Sequence, residues 1–223
     1  MAKMFATFGF DTIRNLINYF LLVLFVLILH GTITYSLMLK MLAGLNPLTF
    51  FKKMRPAMLF AFTTASSNAT LPVTMETATC HLGVRNTIAS FTLPLGATMN
   101  MDGTAIMQGV ATVFIAQVFN IDLGVTQYLS VILTATLASI GTAAVPGAGL
   151  IMLAMVLQQV GLPVEGIALI IGVDRLLDMT RTAVNISGDC VVSCIVAKSE
   201  GEFDQAVFDD PNAGQSEKAE TIS

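Results

Sequence analysis

Residues 174–189 read DRLLDMTRTAVNISGD, and the spacing of their polar side chains decides how the rest of the chain is read. At about 100° per residue, Asp174, Asp178, Arg181, Thr182, Asn185 and Asp189 fall on a single face of one helix. The flanking stretch, 166–197, begins apolar and supplies the other faces with Leu, Ile, Val and Ala. A formal charge at the bilayer centre costs roughly 3 kcal/mol on insertion scales, so six polar groups cannot face lipid. Such a face must look into protein or a water-filled site.

The surroundings put that helix in a membrane. Of 223 residues, 54% are hydrophobic and 12% charged, with a mean hydropathy of +0.75, outside the range of soluble domains. Between Arg14 and Lys40 there is no formal charge apart from that of His30, over a length sufficient for a ~30 Å hydrocarbon core. A turn at Gly44, Asn46 and Pro47 follows, then the cluster Lys52, Lys53 and Arg55, which marks the cytoplasmic side. The net charge of −4 comes largely from the end, where Glu200, Glu202, Asp204, Asp209, Asp210, Glu217 and Glu220 face only Lys198 and Lys218. Residues 199–223 are therefore expected to form an acidic, disordered cytoplasmic tail, and no nucleic-acid partner is called for. Cys80, Cys190 and Cys194 show no disulfide or metal-ligand spacing and read as packing residues. The opening MAKMFATFGFDTIRNL lacks the layout of a cleaved signal peptide and reads, over 1–15, as the end of a preceding span.

Between the first span and the charged helix, the apolar runs are interrupted in a regular way. In 57–85 an apolar run reaches Phe62, the polar stretch TTASSNAT intervenes, and Leu71-Pro72-Val73 restarts a helix. In 127–162 the interruption is GTAAVPGAG. Both read as hairpins of half-length helices. Between them, 86–120 is apolar but carries Pro94, Gly96, Asn100, Asp102 and Gly103, which predicts a broken transmembrane helix lining a polar cavity. The expected organisation is thus an end of a span (1–15), a transmembrane helix with its basic loop (16–56), hairpin 1 (57–85), a broken helix (86–120), hairpin 2 (127–162), an amphipathic transmembrane helix (165–198) and the tail. If the hairpins enter from opposite faces, their tips meet near the midplane.

Three elements carry the chemistry. On the charged face, an arginine fork suits a carboxylate and a carboxylate one turn away can hold an ammonium, so Arg181 and Asp178 together fit an acidic amino acid. The same charges also fit a structural ion-pair network, Asp178 with Arg181 at i,i+3. NMDGT, 100–104, combines an amide, a carboxylate and a glycine that can turn backbone carbonyls toward a small cation, or simply sit at a satisfied kink. The tips ASSNAT and AVPGAG offer N–H groups at half-helix starts, where anions are favoured, or form ordinary tight turns. His30 reads as a hydrogen-bonded packing residue. An intramembrane aspartyl pair, Asp178 with Asp189 or Asp102, would leave Arg181 and the hairpin tips without a role, so no enzyme is expected.

Together, SSNATLPVT, SFTLPLGATMNMDGTA, ASIGTAAVPGAGLIMLAMVLQQVGLP and DRLLDMTRTAVNISGD resemble the dicarboxylate/amino acid:cation symporters, the glutamate transporter family. The resemblance implies an all-α membrane protein with transmembrane helices, two re-entrant hairpins and a broken helix. It implies an elevator-type symporter carrying glutamate or aspartate inward, or by alternative a C4-dicarboxylate or neutral amino acid symporter, or a truncated inactive transport core. Arg181 would bind the side-chain carboxylate, Asp178 and Thr182 the amino group, and Asn185 the α-carboxylate. Ser66, Ser67, Thr104, Val145 and Gly149 would complete the pocket. No cofactor is called for, and Na+ is the co-transported ion, with a proton as the alternative. Gly96, Asn100, Asn185 and Asp189 look like one cation site, Thr98, Ser139, Ile140 and Thr142 a second, and Asn100 with Asp102 part of a third. Met101 lies between them as a coupling residue.

Two departures accompany the resemblance. Archaeal members carry an arginine where this chain has Ala65, and animal members one where it has Met179; Arg175, one turn earlier, is the expected charge compensation. Members also have several spans before hairpin 1, whereas one complete span stands here, so a partial chain lacking the trimer scaffold is expected. The full-length protein is expected to be a homotrimer in the plasma (inner) membrane, with several spans and a cytoplasmic carboxyl terminus.

Overall fold

The computed structural model describes residues 2–214, with side chains placed for 14–214. Residue 1, the side chains up to 13 and the last nine residues of the acidic tail lie outside the described residues. Among the described residues the chain is all-helical, and its one β feature is an isolated bridge between Val84 and Phe203.

Helix α1 (Ala2–Leu29) runs without interruption past position 15, then through the π-helical turn His30–Thr34, the short α2 (Tyr35–Met38) and a second π-helical turn, Leu39–Ala43. Arg14–Ala43, 30 residues with a mean hydropathy of 2.3, is the one helix among the described residues long and apolar enough to cross a membrane. Its buried stripe, Tyr19, Val23, Leu27, Tyr35 and Leu39, recurs at helical spacing, while Leu21, Phe25 and Ile33 stay exposed. Gly44, at φ 65°, ends the run in the left-handed region that glycine adopts without cost.

Local capping builds the first hairpin. The Asn46 side chain accepts from the Leu48 N–H at 2.9 Å and Pro47 takes the first turn of α3 (Pro47–Thr64). Ala65, forced to φ 51°, stops α3, and Ser66 caps α4 (Ser67–Glu76) by accepting from the Ala69 N–H at 3.2 Å. A π-helical turn, Thr77–His81, leads to α5 (Asn86–Met99). At Asn100 and Met101 the backbone leaves helical angles (φ/ψ −91°/79° and −111°/46°), and α6 (Asp102–Val118) restarts beyond them. In the second hairpin, α7 (Val125–Ile140) and α8 (Ala148–Gln159) are joined through residues 141–147, with Gly147 at φ 79°.

Helix α9 (Ile167–Ser199), 33 residues long, forms the axis on which α1, α3, α5 and α6 pack. Every residue from 181 to 191 is buried, which answers the electrostatic problem posed by its polar face. The outer surface is apolar, with Leu129, Ile132, Leu133 and Leu137 of α7 and Ile151 and Met155 of α8 exposed.

The tail departs from the expectation of disorder over 199–223. Residues 202–210 are folded against hairpin 1, including α10 (Gln205–Asp209), and Phe208 is 1% exposed. The reason is local: Phe203 and Phe208 supply apolar anchors among the acidic residues, and Asp204 caps α10 by accepting from the Ala206 and Val207 N–H groups.

Candidate functional site

The polar face of α9 meets both hairpin tips and the break between α5 and α6. They enclose a cavity of about 20 Å³ lined by Ser67, Met101, Thr104, Thr142, Val145, Gly149, Asp178, Arg181, Thr182 and Asn185, with Ala65, Ala143 and Ala144. That is room for about one water, so an amino acid fits only when a tip withdraws.

Arg181 is the largest fully buried side chain, 1% exposed. Its Nη2 donates to Asp178 Oδ1 at 2.8 Å and lies 3.2 Å from Asp174 Oδ1, close enough for an ion pair but not aligned as a hydrogen bond. Nε and Nη1 find no partner in the protein, although both are buried. Two unused donors on a buried guanidinium are an unmet demand for an acceptor such as a carboxylate.

Asp178 is engaged at both oxygens, since Oδ2 accepts from the Gly147 N–H at 2.9 Å. The tip of the second hairpin is thereby tied to α9, and Ser66 Oγ donates to the Ala144 carbonyl at 2.7 Å, tying the two tips together. Asn185 accepts from the Gly103 N–H at 2.8 Å and points its amide nitrogen at Met101 Sδ, 3.3 Å away, a weak acceptor that a carboxylate oxygen would displace. Thr182 donates to the Asp178 carbonyl at 2.9 Å.

Beside the cavity, the predicted first cation set converges. Asn100 Nδ2 donates to Asp189 Oδ1 at 2.9 Å and approaches the Asn185 carbonyl at 3.4 Å. The Gly96 carbonyl accepts from the Asn100 N–H at 2.7 Å, and a Cβ at Gly96 would sit 2.6 Å from Asp189 Oδ1. Asp189 is 3% exposed and has a neutral amide as its hydrogen-bond partner, so a cation there would supply the missing countercharge. No group of three or more His, Cys, Asp or Glu side chains suited to a metal occurs among the described residues. Carbonyl oxygens with one carboxylate suit a weakly held monovalent ion.

The second predicted set is less assembled. Ser139 and Thr142 are buried at the end of α7, whereas Ile140 is 41% exposed and Thr98 lies on an exposed face of α5. The hydroxyls of Thr98, Ser139 and Thr142 all bond back to carbonyls of their own segments. The Asp102 Oδ2 lies 3.1 Å from both His30 Nε2 and the Tyr35 hydroxyl. Arg175 is exposed and not part of the cavity lining.

Sequence reasoning missed two partners of the site. Tyr35 went unremarked, although at 1% exposure it is the far end of the Asp102 cluster; a tyrosine one turn after an intramembrane histidine was the available signal. Gln108 is fully buried on α6, with Nε2 reaching the Gly149 carbonyl at 3.4 Å and Oε1 unpaired. An amide in the middle of an apolar helix was the signal there.

A buried arginine with unpaired donors and a buried carboxylate stand inside a helical assembly whose outer surface is apolar, the composition of a membrane protein. The pattern describing the Sodium:dicarboxylate symporter family matches residues 1–199, and the chain belongs to that family. It is 46% identical over 186 residues to an "Excitatory amino acid transporter" of Caenorhabditis elegans, covering 83% of this chain and 37% of the relative. It is 45% identical over 196 residues to "Excitatory amino acid transporter 3" of Homo sapiens, covering 87% and 37%. With "Excitatory amino acid transporter 2" of Mus musculus it shares 40% identity over 227 residues, covering 94% and 40%. The chain thus spans about two fifths of the length of the curated relatives it matches.

Proposed function

We propose that this chain is the substrate- and cation-binding core of a secondary symporter that carries glutamate or aspartate inward with sodium. The observation that carries the reading is Arg181, buried at 1% exposure with Nε and Nη1 unpaired, beside a carboxylate at 2.8 Å. Arg181 takes the side-chain carboxylate of the substrate, Asp178 and Thr182 its amino group, and Asn185 its α-carboxylate. The names of the relatives and of the family support the acidic amino acid and the sodium.

Asp178 gives the binding cycle its physical logic. The oxygen that would accept the substrate's ammonium is the one that accepts the Gly147 N–H at 2.9 Å. Substrate and hairpin tip therefore compete for Asp178 Oδ2, and the second hairpin is the one that opens. Sodium occupies the oxygens of Gly96, Asn100, Asn185 and Asp189, next to Met101, which joins the two sites through Asn185. The chain acts as a transporter and not as an enzyme. We place it in the plasma membrane with the basic loop and the acidic segment cytoplasmic, the hairpins re-entrant, and the full-length protein assembled as a homotrimer.

Calorimetric titration of L-aspartate and L-glutamate into the purified chain in detergent tests this reading. Heat of binding is expected with sodium and is lost with choline, and Arg181→Cys abolishes it. Wild-type aspartate affinity in Arg181→Cys would refute the assignment. Equal affinity in sodium and choline would move the coupling to protons.

A further inference from the structure

Away from the cavity, the basic residue Lys53 is drawn out of its exposed cluster and used as a fastener. Its Nζ donates to three carbonyls, His81 at 2.8 Å, Val207 at 2.7 Å and Asp210 at 2.8 Å, which uses all three of its N–H groups. One acceptor lies at the base of hairpin 1 and two lie in the carboxyl-terminal segment. The Phe208 ring sits beneath, 5.7 Å from the ammonium.

The same segment pairs with the turn that follows hairpin 1. Asp204 N–H donates to the Gly83 carbonyl at 2.7 Å, Arg85 N–H donates to the Glu202 carbonyl at 3.1 Å, and Arg85 Nη1 meets Glu202 Oε2 at 2.9 Å. Gly83, at φ 78°, has no room for a side chain, because a Cβ there would collide with the Asp204 carbonyl. At the end of α9, Lys198 lies 4.7 Å from the Phe203 ring centroid and donates to Gln205 Oε1 at 2.6 Å.

We infer that residues 202–210 are an intramolecular latch, pinned by Lys53 and Phe208, that joins the end of α9 to the base of hairpin 1 and so holds the hairpin 1 tip in register with the polar face of α9. The assignment rests on the proposed function only where it treats that tip and face as the two walls of a binding site. Geometry says why a latch at the base matters. Ala65 lies twelve residues beyond Lys53, about 18 Å along α3 at 1.5 Å per residue, so a tilt of about 5° at the base displaces the tip by about 1.6 Å. A misplacement of that order is enough to spoil a site that positions its ligand by several groups at once.

Hydrogen–deuterium exchange of the whole chain in detergent, without ligand, tests the latch. The wild type is expected to protect peptides covering 82–90 and 200–210 together. Lys53→Met and Phe208→Ala each speed exchange in both by about tenfold or more, and also in the tip, 64–70, while 181–191 is unchanged. Lys53→Arg, which keeps the charge and several donors, retains most of the protection. Exchange of 200–210 in the wild type at the rate of an unstructured peptide would overturn the latch. Acceleration confined to 200–210, with the tip unaffected, would overturn its role in holding hairpin 1. A Lys53→Met protein that also loses protection in 181–191 has unfolded as a whole, and Phe208→Ala then decides. Because no ligand enters the measurement, failure to bind acidic amino acids would defeat the proposed function and leave the latch standing.

Discussion

Replacing Gly96 by alanine should damage the cation site more than the fold. A Cβ at this position lies 2.6 Å from Asp189 Oδ1, 2.9 Å from its Cγ and 3.2 Å from its Cβ, so the carboxylate must turn or α5 must shift. Asp189 is buried and held by Asn100 at 2.9 Å, which leaves it little freedom to turn. Overpacking of this kind costs about 1–3 kcal/mol. If the cost falls on the arrangement that binds the ion, the sodium concentration for half-saturation rises by about 5- to 140-fold, at about 1.4 kcal/mol per tenfold. The assay is aspartate titration over a sodium series, with a thermal melt to confirm folding. Gly109→Ala is the matched control, since nothing lies within 4 Å of a Cβ at that site in α6. There alanine should be neutral or stabilise by about 0.5–1 kcal/mol. A Gly96→Ala protein that binds sodium like the wild type would refute the placement of the cation between Gly96 and Asp189.

Asp178→Asn should weaken aspartate by about 10- to 100-fold, the worth of a hydrogen bond to a charged group, while succinate, which has no ammonium, loses less; competition titrations compare the two. Ser66→Ala removes both the 2.7 Å tie to the Ala144 carbonyl and the cap of α4, and should lower stability by about 0.5–2 kcal/mol with faster exchange at both tips. Tyr35→Phe deletes the hydroxyl 3.1 Å from Asp102 and should cost about 1.5–3 kcal/mol in a denaturant or thermal melt; an unchanged melt would mean the His30–Asp102–Tyr35 cluster does not hold α6 to the first span. Gly188→Ala should be more harmful than Gly109→Ala, because its Cβ would meet the Tyr35 hydroxyl at 2.5 Å and Asn100 Nδ2 at 2.6 Å; expression and monodispersity report the difference.

The helix face and chain breaks that line the cavity could be read from residue spacing because they are local. The face formed by Asp174, Asp178, Arg181, Thr182, Asn185 and Asp189 is a property of helical periodicity within one segment, and burial of that face follows from the cost of charges in lipid. The stop of α5 was legible because Asn100, Asp102 and Gly103 stand together in an apolar run. The turns at Ala65-Ser66 and at 141–147 were legible from polar and glycine-rich interruptions in otherwise apolar runs. Partners of those residues were not legible. Nothing nearby in sequence gives Asp102 its partners His30 and Tyr35, 72 and 67 positions away.

Composition misled at the carboxyl end for the same reason. Counting charges over 199–223 gives a solvated tail, yet the contacts that fold residues 202–210 join Arg85 to Glu202 across 117 positions and Lys53 to Val207 across 154. By itself, then, the sequence determined a membrane protein, helices with two interrupted hairpins and a charged helix face. All of these follow from periodicity, transfer cost and charge within single segments. Tertiary structure alone decided which donors of Arg181 stay free, which oxygen of Asp178 holds the second hairpin, that Asp102 meets His30 and Tyr35 of the first span, and that residues 202–210 are folded. Each of those depends on distances between segments far apart in the chain, which a periodic pattern does not encode.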